Sequence, residues 1–94
     1  MIVISDTSPI TNLAAIGQLD LLRRLYGSIV IPAEVYGEMV GIGKRVPGTQ
    51  EVQTFDWIKT QAVVDQQQIL DLRKNQGNID LGEAAVIALA LETK

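Results

Sequence analysis

The chain has 94 residues, enough for one small domain, and its 47% hydrophobic and 20% charged residues fit a folded rather than a disordered chain. It has no His and no Cys, which excludes a Ser-His-Asp triad, a Cys-His pair, a His-ligated zinc site and any disulfide. The net charge of −3 argues against gripping nucleic acid by broad phosphate neutralisation; a divalent cation would have to offset the phosphate charge instead.

Residues 2–5 read as a short buried strand that ends in a lone acid, Asp6. Ser8 is a good N-cap and Pro9 suits the first helical position, so a helix should run from there to Gly17. Residues 18–27 predict a second helix with Leu19, Leu22 and Tyr26 on one stripe, closed by Gly27. Residues 28–31, "SIVI", predict a second buried strand, which Pro32 closes before a helix over 33–40. Residues 41–50, rich in Gly with one Pro, read as a loop. A short helix over 50–56, a strand over 57–64 and a helix over 65–77 follow. The final helix starts at Asp80 and is apolar nearly all round from Ala84 to Leu91, so it should be buried on most sides. Strands alternating with helices predict an α/β fold with a parallel sheet. The longest apolar run, residues 84–91, is far short of the ~20 residues that span a bilayer. The chain does not open like a signal peptide, so the expectation is a cytoplasmic protein without a membrane role.

Three acids stand out against this frame. Asp6 sits at the carboxyl end of a strand, the edge where open parallel sheets bind ligands; its plainer reading is an Asx-turn or cap. Glu38 lies in the third helix, four residues after Glu34; both read equally well as solvated surface acids. Glu83 follows Asp80 at capping-box spacing and stands at the rim of the last helix's core. Carboxylates without His or Cys suit a hard cation, Mg²⁺ or Mn²⁺. Lys44 and Arg45 lie in the glycine-rich loop, either as mobile surface cations or as contacts to a phosphate backbone.

The stretches "VISDTSPI", "IPAEVYGEM" and "LGEAAVIALALE", in that order, resemble the PIN-domain family, above all the VapC-like toxins and related bacterial and archaeal proteins that open with a strand ending in Asp-Thr-Ser-Pro. The resemblance covers essentially the whole chain. It implies a three-layer α/β/α domain with a mainly parallel sheet and Mg²⁺- or Mn²⁺-dependent cleavage of RNA by a pocket of about four acids. Asp6, Glu38 and Glu83 match three of them, and Ser8 matches a supporting hydroxyl that helps fix metal-bound water. The fourth acid belongs on a strand beyond Lys94. Residues 1–94 therefore read as a single incomplete domain, about the amino-terminal two-thirds, in which catalysis is impaired and the open core drives homo-oligomerisation. A protein antitoxin is the implied partner of a toxin-like nuclease. The competing reading is an inactive remnant that serves as an interaction module. A phosphotransfer domain with Asp6 as nucleophile would want a second Asp where Ser8 stands.

Overall fold

The computed structural model describes residues 2–41, 45–75 and 77–93. In chain order the elements are α1 (Thr7–Ala15), α2 (Asp20–Tyr26), β1 (Ile29–Pro32), α3 (Ala33–Val40), α4 (Thr49–Thr54), β2 (Ile58–Gln61), α5 (Gln66–Asn75) and α6 (Leu81–Thr93). β1 and β2 pair in parallel, with Ile29 opposite Ile58 and Pro32 opposite Gln61. On the other side of β1 the 2–5 segment adds one parallel bridge, Ile4 to Val30. Val30 N–H donates to the Val3 carbonyl at 2.8 Å, and Ser5 N–H donates to the Val30 carbonyl at 2.9 Å.

Side-chain alternation along β1 divides the interior in two. Ile29 and Ile31 join Ile10, Leu19, Val35, Met39, Val52 and Ile58 on one face. Val30 turns to the other face, where Val63, Ile69, Ala84, Ala85, Ala88 and Leu89 form a second core with Ile4 against it. Successive strand residues must point to opposite sides, so a run of β-branched residues on a sheet covered by helices on both faces feeds two cores at once. The result is the expected layered α/β/α arrangement: α1, α3 and α4 cover one face of the sheet, and α5 and α6 cover the other.

The 2–5 segment is less buried than its composition suggests. Ile2 is 54% exposed and the next three residues are half-buried, because the segment is the outer edge of the sheet rather than a central strand. The stripe expected on the second helix also differs. Leu19 is buried but precedes α2, Tyr26 is 48% exposed, and no residue of α2 itself is fully buried. Asp20 and the two arginines hold α2 from outside, with Arg23 and Arg24 donating to the Asp20 carboxylate at 2.7 and 3.1 Å. The start of α5 is tied to the end of α6: the Glu92 carboxylate accepts from the N–H groups of Val64 and Asp65.

Candidate active site

α1 begins two residues earlier than the Ser-Pro pair suggests. Thr7 is its first residue and Asp6 is its N-cap, with Asp6 Oδ1 accepting from Thr7 N–H at 2.7 Å. Ser8 and Pro9 lie exposed in the first turn, where backbone N–H groups lack intrahelical partners and proline loses nothing. Ser8 is thus neither the cap nor in hydrogen-bond contact through its hydroxyl with an acid among the described residues. Asp6 Oδ2 accepts no hydrogen bond among the described residues.

Thr7 contributes twice. Its backbone N–H binds Asp6, and its hydroxyl donates to Glu38 Oε2 at 2.8 Å. A single residue therefore joins the carboxylate at the end of the first strand to the carboxylate on α3. The sheet explains the proximity: the 2–5 segment and β1 run in parallel side by side, so the helices that leave their ends, α1 and α3, start next to each other.

Glu38 also rests against the first turn of α6. A Cβ placed on Gly82 would lie 2.5 Å from Glu38 Oε1 and 3.1 Å from its Cδ and Oε2. The Glu38 carboxylate fills the space that any side chain at residue 82 would need. The backbone of Glu83 follows directly. Asp80 Oδ1 accepts from Glu83 N–H at 2.8 Å, the forward half of the capping box. The return bond does not form, and the exposed Glu83 carboxylate has no hydrogen-bond or ion-pair partner among the described residues. One turn before Glu38, Glu34 is half-buried, and its Oε1 is buried without a hydrogen-bond partner among the described residues.

The structure thus brings the segments bearing Asp6, Glu38 and Glu83 together, through Thr7 on one side and Gly82 on the other. Among the described residues, no three acids are drawn close enough to hold one ion. The donor set nevertheless fits a hard divalent cation: it is all oxygen, one carboxylate is seated in a glycine cradle, and the described ion pairs, Asp20 with Arg23 and Arg24, involve none of these acids.

Arg45 is exposed and lines a groove of about 580 Å³ with Ala14, Thr49, Gln50 and Glu51. Ala14 lies eight residues along the chain from Asp6, about 12 Å at the rise of an α-helix, so the groove sits at the far end of α1. Lys44 lies outside the described residues. No described helix is long and apolar enough to cross a membrane.

Sequence reasoning missed Thr7, Gly82 and the buried oxygen of Glu34. Two of them carried a local signal: Gly82 stands immediately before an acid at a helix start, and Glu34 stands one turn from Glu38. A family model described as a PIN domain matches residues 2–94. No curated protein and no solved structure matches the chain.

Proposed function

Because the chain belongs to the PIN-domain family, we propose that it is a divalent-metal-dependent nuclease acting on RNA, with Asp6, Glu38 and Glu83 as its cation-holding carboxylates. The observation that carries this reading is the pair of contacts on Glu38, the Thr7 hydroxyl at 2.8 Å and the seat on Gly82 beside Glu83. An Mg²⁺ or Mn²⁺ ion, when bound, supplies an activated water and neutralises charge on the phosphate oxygens. The chain's own task is to fix the ligands. Thr7 holds Asp6 by its backbone and Glu38 by its side chain, so the two carboxylates move as one unit with the start of α1. Among the described residues, Asp6 Oδ2 and the Glu83 carboxylate make no internal bond that a cation would have to break. Without His, Cys or another strong nucleophile, the acid–cation route is the hydrolytic chemistry this residue set supports. Ser8, exposed one residue beyond Thr7, is a supporting hydroxyl toward water or substrate, and Arg45, next to Lys44 in the sequence, is the contact to the phosphate backbone.

The finer reading is a VapC-like toxin neutralised by a protein antitoxin and assembling with copies of itself. The exposed apolar residues of α6 support an interface, although they are Leu81, Ile87 and Leu91, at 41%, 40% and 43%, rather than Val86 and Leu89. Leu89 is fully buried and Val86 is half-buried in the domain's own core. The same exposed stripe favours the second reading, an interaction module without catalysis. The deciding experiment incubates end-labelled single-stranded RNA with the purified chain and Mn²⁺, then repeats it with chelator and with Asp6→Asn. Cleavage that both treatments abolish is the expected result; intact RNA with a protein that binds Mn²⁺ normally would leave the interaction module standing.

A further inference from the structure

The geometry points to Thr7 and Gly82 as the positioning residues that fix the Glu38 carboxylate, Thr7 by a hydrogen bond and Gly82 by leaving room. The inference rests on the reading of Glu38 as a cation ligand. Glu38 stands on α3 with several rotatable bonds between its backbone and its carboxylate, and burying or ordering such a side chain costs entropy that some contact must offset. Here a hydrogen bond does so, and a neighbouring glycine leaves the room for it. The Thr7 hydroxyl reaches Oε2 at 2.8 Å, a bond to a charged acceptor and so among the stronger kind. The carboxylate lies where a Cβ on residue 82 would sit 2.5 Å from Oε1.

Gly82 is not required by its backbone. The glycines with positive φ among the described residues are Gly17, Gly27, Gly48 and Gly77, and Gly82 stands inside α6 in a conformation any residue adopts. Glycine is a poor helix former, so its place in the first turn of α6 has a reason other than local structure. That reason is space for Glu38. Thr7 likewise does more than start a helix: its hydroxyl spans 31 residues of sequence to reach α3. Metal-ligating carboxylates depend on such partners for orientation, and loss of one typically weakens metal affinity by about 10–100-fold.

The test is a titration of the full chain with Mn²⁺, read by the electron paramagnetic resonance signal of the free ion, with circular-dichroism melts on every variant. Glu38→Gln is the reference for loss of the ligand itself. Thr7→Val keeps the β-branch and the backbone N–H to Asp6 but removes the hydroxyl; Thr7→Ser keeps the hydroxyl. Thr7→Val and Gly82→Ala are each expected to weaken Mn²⁺ binding about 10–100-fold, and Thr7→Ser to restore wild-type affinity. Gly82→Ala places a better helix former in α6 and leaves the Glu38 carboxylate, the end of a flexible side chain, to swing away from the new Cβ, so Mn²⁺ binding should fall while the melting temperature stays near or above that of the wild type. Should that variant not fold, the Thr7 pair decides. Wild-type affinity in Thr7→Val or Gly82→Ala, alongside weakened binding in Glu38→Gln, removes that residue from the role while leaving Glu38 as a ligand. Equal binding by wild type and Glu38→Gln, or no binding by wild type, overturns the ligand reading and the positioning role together.

Discussion

Replacing Asp6 separates its two roles. Asp6 caps α1, with Oδ1 accepting from Thr7 N–H at 2.7 Å, and it carries a charge close to Glu38. Truncation of an N-cap acid to alanine costs about 0.5–2 kcal/mol, typically near 1, and loss of a negative charge at a helix start adds a few tenths. Relief of repulsion with Glu38 works in the opposite direction and is weak at this half-exposed edge. The cap wins, so Asp6→Ala should lose about 1 kcal/mol without metal, a fall of about 4–8 °C in melting temperature for a domain of this size. Asparagine keeps an acceptor oxygen for Thr7 N–H and loses only the charge, so Asp6→Asn should lose less than half as much. Both should abolish the stabilisation that Mn²⁺ gives the wild type. Thermal melts by circular dichroism with chelator and then with millimolar Mn²⁺ separate the effects. An Asp6→Ala protein as stable as wild type without metal would refute the net capping role and show that relief of charge repulsion offsets the cap, whereas an Asp6→Asn protein as unstable as Asp6→Ala would show that the charge rather than the acceptor oxygen carries the stabilisation.

Glu34→Met removes a buried oxygen without a partner and a like charge one turn from Glu38; a gain of about 0.5–1.5 kcal/mol in denaturant unfolding without metal is expected. Gly48→Ala should destabilise by about 1–2 kcal/mol or more, because φ there is +95° and a Cβ would stand 3.0 Å from Met39 Cε and 3.1 Å from Ile10 Cγ2. Chemical denaturation of the variant beside the wild type would show it. The Arg23 hydrogen bond, aided by the charges of Arg23 and Arg24, holds the Asp20 carboxyl below its ordinary 3.8. Its support of α2 is therefore present above that pH and lost as acid takes the solution through the lowered value. Amide exchange in α2 should speed up in that window, and less so for Asp20→Asn, which has nothing left to titrate.

The layered fold was legible because its signals are local. β1 is a β-branched run stopped by Pro32, α3 starts on the next residue, and α6 is an apolar helix that begins beside its cap, Asp80. The 2–5 segment shows the limit: its side chains match those of a buried strand, but whether a strand is central or outermost depends on which neighbours arrive from elsewhere in the chain. Asp6 and Ser8 are both good caps two residues apart, and the choice between them is made by where the chain leaves the sheet, which composition does not encode. The order of the acids pointed to Asp6, Glu38 and Glu83 as the proposed ligands, yet the contacts between the segments that carry them are non-local. Thr7 meets Glu38 across 31 residues, and Gly82 is needed for the space it leaves rather than for its torsion angles. For the same reason the exposed large apolar residues of α6 are Leu81, Ile87 and Leu91 rather than the expected Val86 and Leu89: a nearly uniform apolar helix has no stripe from which to read the buried face.

Convergence of three distant segments on one cation site is most directly tested by adding sub-stoichiometric Mn²⁺ to the ¹⁵N-labelled chain and following paramagnetic broadening of its amide signals. The amides of Thr7, Glu38, Gly82 and Glu83 should broaden first and together, and should keep their signals in Asp6→Asn at the same Mn²⁺ concentration. Broadening led instead by Asp20, Asp65 or Asp71, or spread evenly over the acidic surface, would contradict a cation site at the meeting point of α1, α3 and α6.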